Sequence, residues 1–198
     1  MGNKEDLLDA ARSCIYERGF AATTARDIAT KAGVSLAAIG YHFGSKDRLL
    51  TEAFTDESGR VIGDDLERRI RETAGQSVGA AFPQVWADIA DLFGSSRDVL
   101  VASVENLVRV HRTPSEQMRM GELNDSAVSE IATMLADAHP DLDQSRARAV
   151  AGLYMVLLNG LTIQWMANPD GALPSGTDLA AAISVLGRDL APVDEKGP

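Results

Sequence analysis

The feature that most constrains this chain is the run from Thr24 to Lys46, TARDIATKAGVSLAAIGYHFGSK. Asp27 stands three residues after Thr24, the spacing at which a hydroxyl and an acidic side chain cap the first turn of a helix reciprocally. Ile28 and Ala29 give that helix an inward stripe, and Gly33 falls where it ends and the backbone needs a positive φ. Val34 fills the turn and Ser35 is placed to cap a second helix, whose buried edge is Ile39 and Phe43. The outer face is left to Leu36, Ala37, Ala38, Gly40, Tyr41 and His42. Small residues followed by an aromatic hydroxyl suit a helix pressed into a groove lined with phosphates. Two short helices joined by a tight glycine turn make a helix-turn-helix, and that motif points to DNA.

The neighbouring residues extend the pattern. Ala10-Ala11, Gly19-Phe20, Thr24, Arg26-Asp27-Ile28-Ala29, Ala32-Gly33-Val34-Ser35, Tyr41-His42-Phe43, Gly44-Ser45-Lys46 and Leu49-Leu50 occur in this order and spacing. In them the segment from about Leu7 to Phe54 resembles the DNA-binding domain of the tetracycline-repressor (TetR) family of bacterial regulators. The resemblance covers about a quarter of the chain. It departs at Gly40, where the family often carries Tyr or Asn, so one side chain is missing from the outer face.

The net charge of −10 is at odds with DNA binding until it is divided along the chain. Residues 1–50 hold seven Lys/Arg against six Asp/Glu, and the rest hold 12 against 23. An acidic second part keeps its own surface off the phosphate backbone, while the near-neutral head must touch DNA through a few placed residues. The expected division is therefore a DNA-binding domain over 1–50 and a helical ligand-binding and dimerisation domain over 51–198. A chain of 198 residues can bury a proper core without staples. Its single cysteine, Cys14, sits on an apolar helical stripe, and no leader pattern opens the sequence, which fits a cytoplasmic protein. The apolar stretch Ala149–Ile163 is read as a buried helix, too short for a membrane span.

Helical periodicity continues throughout, and nothing alternates with a period of two, so the fold class is all-α. A first helix over Lys4–Arg18 is stopped by Gly19. A helix from Ser45 to about Arg71 leads out of the head, followed by helices near Val78–Phe93, Arg97–Arg112, Ser115–Ala138, Gln144–Ala167 and Thr177–Leu190. Residues after Pro192 read as frayed.

Candidate DNA contacts come from both chemistry and the resemblance. Thr24 and Ser35, at helix starts, offer hydroxyls and backbone N–H groups to phosphates beside their capping roles. Tyr41, His42 and Lys46 match positions that serve the family as phosphate clamps. Arg26 is the one long donor near the groove, and its family position can read guanine by a bidentate contact; otherwise it is a solvated helix residue or an ion pair with a neighbouring acid. Leu36, Ala37 and Ala38 carry no donors and are suited to thymine methyls, while Gly40 shapes the fit.

One recognition helix covers too few base pairs to be selective, so such heads work in pairs on palindromic operator DNA. The apolar load of the last two helices (Val150, Leu153, Leu157, Leu161, then Leu179, Ile183, Leu186), with Gly152, Gly160 and Ala182 permitting close approach, fits a homodimer surface or intrachain core, and single positions cannot be divided between the two. The resemblance implies an intersubunit four-helix bundle there. It also implies that the second domain encloses an unidentified small-molecule effector. Candidate lining is Trp86, Phe93, Asn106, Arg109, Met118, Tyr154, Asn159 and Trp165, although each alone fits a plain core position and Glu105 with Arg109 reads as a surface ion pair. His42, His111 and His139 lie far apart, and no Gly-rich phosphate loop, Gly-x-Ser-x-Gly elbow or CxxC is present. The sequence thus implies no catalytic residues, metal site, cofactor or membrane partner. The function expected is a transcriptional repressor released from its operator by a small molecule. The alternative is a DNA-binding regulator whose second domain binds a protein partner or no ligand.

Overall fold

The computed structural model describes residues 2–190, so the expected fraying after Pro192 lies outside the described residues. In order, the helices are α1 (Gly2–Ala22), α2 (Ala25–Ala32), α3 (Ala37–Phe43), α4 (Lys46–Ser58), a π-helical turn (Gly59–Gly63), α5 (Asp64–Glu72), α6 (Val78–Val85), α7 (Ile89–Ser95), α8 (Arg97–His111), α9 (Pro114–Ala138), α10 (Gln144–Ala167) and α11 (Gly176–Leu190). No strand occurs among the described residues. The chain forms two units, one from Met1–Leu66 with Phe93–Glu130, the other from Glu67–Leu92 with the residues from Ile131 on. The unit that holds the head therefore reaches well past residue 50 and includes α8.

The head packs Leu7, Ala11, Cys14 and Ile15 of α1 against Ile28 of α2, Ile39 and Phe43 of α3, and Leu49, Leu50 and Phe54 of α4, all buried. Burial pushes the Cys14 thiol up, which keeps it protonated and inert. As the sequence predicts, α1 breaks at Gly19 (φ 77°, ψ 166°), a conformation open essentially to glycine alone. The break turns Phe20 inward, where its ring meets Phe54 edge-on at 5.7 Å. It also removes the helical partner of the Phe20 N–H, and the Glu105 carboxylate of α8 accepts that bond at 3.0 Å. The expected Glu105–Arg109 ion pair does not form, because each side chain has a partner in the head. Arg109 lies over the Phe20 ring, 5.6 Å from its centroid, and donates to the hydroxyl of buried Thr51 in α4. Thr51 in turn donates to Glu116 at 2.9 Å.

The second unit is organised around α6 and α10. The expected helix Val78–Phe93 is divided at Trp86–Asp88, with Asp88 at φ 51°. Arg69 holds the division open by donating to the carbonyls of Val85 and Ala87, which the interrupted helix leaves without partners. Asp141 accepts from the Val78 N–H at 3.2 Å, and buried His139 meets the Gln76 carbonyl through Nδ1 at 3.0 Å. The apolar stretch Ala149–Ile163 is not too short for a membrane once its flanks are included: it belongs to α10, whose 24 residues are long and apolar enough to span one by length and composition alone. Its inner side buries Ala147, Ala151, Tyr154, Leu161 and Trp165.

Candidate nucleic-acid interface and aromatic site

The local chemistry of the head fixes the outer face of α3. Thr24 caps α2: its hydroxyl donates to Asp27 Oδ2 at 2.6 Å and accepts from the Asp27 N–H at 3.2 Å, while its own N–H donates to the same carboxylate at 3.0 Å. These bonds, with Arg18 at 3.1 Å, hold the Asp27 carboxyl below its ordinary range. The Thr24 hydroxyl proton is thus committed to the cap. Gly33 ends α2 at φ 67°, ψ 26°, and the Val34 N–H reaches back to the Ala29 carbonyl at 3.0 Å. Ser35 does not cap α3 with its side chain. Leu36 is already in the right-handed helical region, so α3 opens from the Ser35 carbonyl, which accepts from the Ala38 N–H at 3.0 Å.

With Ile39 and Phe43 buried, α3 exposes Leu36 (53%), Ala37, Gly40 and Tyr41 (86%), and half-exposes Ala38 and His42. The Tyr41 and His42 rings meet edge-on at 4.9 Å. Lys46, at the start of α4, donates to the Thr23 carbonyl at 3.0 Å, which ties the beginning of α4 to the residue before the α2 cap. Arg26 is exposed and makes no ion pair among the described residues, which leaves a solvated helix residue or a DNA contact. Arg48 is also exposed.

The candidate ligand residues fall in both units. Trp86, Tyr154, Asn159 and Trp165 lie in the second, and Phe93, Asn106, Arg109 and Met118 in the first. Met118 (71% exposed) and Asn159 are on the surface. Asn106 is buried but engaged, its Oδ1 accepting from Arg109 at 2.8 and 3.2 Å. The structure does bring Trp86 and Tyr154 together, centroids 5.3 Å apart, with Phe82 5.7 Å from Tyr154. Phe82 was not anticipated, although it stands one helical turn before Trp86. Both Trp86 Nε1 and Tyr154 Oη are buried without a hydrogen-bond partner. Burial alone raises the Tyr154 phenol above its usual 10, so it stays protonated and able to donate.

The last two helices expose apolar side chains on α10 (Leu153, Val156, Ile163) and on α11 (Ile183, Val185, Leu186). Of the apolar residues that the sequence left undivided, Leu161 belongs to the interior, while Val156, Ile163 and Val185 add to the exposed apolar side chains.

A glycine turn between the capped helix α2 and the short helix α3, followed by an exposed, small-residue face, defines a helix-turn-helix. The model of the bacterial regulatory proteins of the tetR family matches residues 7–53. Over that segment, about a quarter of its length, the chain is similar to that family. It is 42% identical over 71 residues to the HTH-type transcriptional repressor KstR2 of Rhodococcus jostii (strain RHA1), covering 36% of this chain and 32% of that one. It is 27% identical over 164 residues to the HTH-type transcriptional regulator BetI of Cronobacter sakazakii, covering 81% and 78%. The first of these matches spans only about a third of the relative's length. Among solved structures, the multidrug binding protein EbrR complexed with imidazole shares the fold, with a TM-score of 0.62 at 19% identity over 92% of this chain and 88% of that one.

Proposed function

We propose that this chain is a cytoplasmic, homodimeric transcriptional repressor, not an enzyme, that holds a palindromic operator until a small molecule binds its second domain. The observation that carries the reading is the outer face of α3, exposed on a head whose neighbouring cation, Arg26, has no partner among the described residues. In this reading residues 1–50 do the DNA contact and residues 51–198 sense and dimerise. Tyr41, His42 and Lys46 meet phosphates, Arg26 reads a base, and backbone amides near Thr24 and Ser35 complete the backbone contacts. Kinship with named repressors supports this.

The exposed apolar sides of α10 and α11 support the dimer. Val156 (68%) and Leu186 (62%) are large apolar residues of a kind that soluble chains cover with a partner. Trp86 and Tyr154 support the ligand reading over a silent second domain. An unmet buried polar group costs on the order of 1–3 kcal/mol, and a ligand accepting from both would recover it. Such a ligand is flat enough to sit among aromatic rings and carries acceptor oxygens or nitrogens. The test is a mobility-shift titration with the DNA flanking its own gene, followed by a screen for compounds that both release the DNA and raise the melting temperature. The two effects are linked, since a ligand that favours the non-binding state is bound less tightly by the DNA complex. DNA binding without release by any compound would favour a protein partner, and a compound whose effect is unchanged in Trp86→Phe and Tyr154→Phe would exclude the aromatic site as its seat.

A further inference from the structure

The outer face of α3 has an unusual chemical poverty. Leu36, Ala37, Ala38 and Gly40 present no guanidinium, ammonium, amide or carboxylate, and Leu36 is about half exposed. Those are the groups that read guanine, adenine and cytosine edges in the major groove by paired hydrogen bonds. What such a surface can recognise is the one apolar feature of the groove, the C5-methyl group of thymine, and the space beside it. The phenol of Tyr41 stands beyond this patch, edge-on to the His42 ring. Gly40 leaves a gap between the two and lets the backbone of α3 approach the bases closely. The polar donor available near the groove, Arg26, sits on α2 and addresses one position only.

We propose that the head reads its operator mainly through thymine methyl groups met by Leu36, Ala37 and Ala38, so that each half-site carries at least two methyl-dependent positions. This rests on the DNA-binding function proposed above. Burying one methyl is worth about fourfold in affinity, and the symmetric pair in a palindrome about fifteenfold.

The full-length protein is used to enrich binding sequences from a random duplex pool, and the winning site is remade with uracil in place of thymine, one symmetric pair at a time. Uracil keeps the pairing and the O4 acceptor and removes only the methyl. At two or more positions per half-site, affinity is expected to fall about fifteenfold per symmetric pair. In Leu36→Ala, whose side chain is exposed and outside the head's core, at least one of those penalties should vanish, which a merely structural role for Leu36 would not produce. Changing cytosine to 5-methylcytosine at a mismatched C·G variant of such a position should restore part of the loss. If uracil is tolerated everywhere while A·T-to-G·C exchange is not, the readout is polar or conformational and the proposal is overturned. It is equally overturned if the uracil penalties are the same in Leu36→Ala and Ala37→Gly as in the parent. A pool that enriches no sequence at all overturns the DNA-binding reading itself, and the methyl readout with it.

Discussion

Replacing Gly19 by alanine puts the most weight on one small group in the head. The residue sits at φ 77°, ψ 166°, a region that costs an L side chain about 1–3 kcal/mol. A Cβ there would lie 2.9 Å from Glu105 Oε2 and 3.2 Å from Oε1. The carboxylate ends a flexible chain and can swing away, but only by giving up its bond to the Phe20 N–H. A bond to a charged group is worth about 1.5–3 kcal/mol, and the lower half of that range fits this partly exposed one. Together the two effects amount to about 2–5 kcal/mol, a large fraction of the 5–15 kcal/mol typical of a folded domain. Urea unfolding followed by circular dichroism should show the loss directly, and thermal scans should fall by roughly 5–15 °C. The double variant Gly19→Ala/Glu105→Ala separates the contributions: the backbone strain persists, but the collision and the bond are already gone. Its loss should therefore be smaller than the two single losses added. A Gly19→Ala protein within about 0.5 kcal/mol of the parent would refute the reasoning, as would strict additivity in the double variant.

Further outcomes follow from the same geometry. Lys46→Ala should weaken operator and scrambled DNA alike and lower the slope of affinity against salt by about one, measured by fluorescence anisotropy across salt concentrations. Arg26→Ala should instead relax the preference at one base position, by about 1–3 kcal/mol; equal losses on operator and scrambled DNA would exclude base reading. Glutamate at Leu153 or Ile183 should give monomers or aggregates in analytical ultracentrifugation, and a parent protein that sediments as a monomer would sink the dimer. The Asp27 carboxyl, held below its ordinary 3.8 mainly by bonds from Thr24, binds fewer protons folded than unfolded. The cap's contribution is therefore complete above pH 4 and fades as the pH falls through the depressed value, and a pH series of helicity should lose this feature in Asp27→Asn.

Much of the head was legible because its signals are local. A capping box, a glycine at a helix end and a four-residue apolar spacing each act within one or two turns, so Thr24, Gly33, Ile39 and Phe43 were readable in place. Ser35 misled because a serine before a helix is a good cap only if the next residue waits to become helical, and Leu36 does not. The division of Val78–Phe93 was hidden because the group that stabilises it, Arg69, lies 16 residues away from Val85. Glu105 and Arg109 looked like a pair since they are one turn apart, yet their partners are Phe20 and Thr51, far off in sequence. The candidate ligand residues were legible only in part: Trp86 and Tyr154 were named and do meet, but apolar periodicity tells which face of a helix is inward and not which inward polar atom is left unmet. On α10 and α11 the pattern counted apolar residues correctly but could not assign Leu161 to the interior and Val156 to the surface.

The bond from Phe20 to Glu105 also bears on how this head can be made and moved. A ribosome finishes α1 to α4 long before it reaches α8, so the newly made head waits with the Phe20 N–H lacking its carboxylate acceptor and one side of the Phe20 ring lacking its Arg109 cover. A head transplanted onto another protein faces the same gap. A graft cut at residue 50 or 66 leaves behind the helix that closes it. A portable version should bring the stretch 97–116 along.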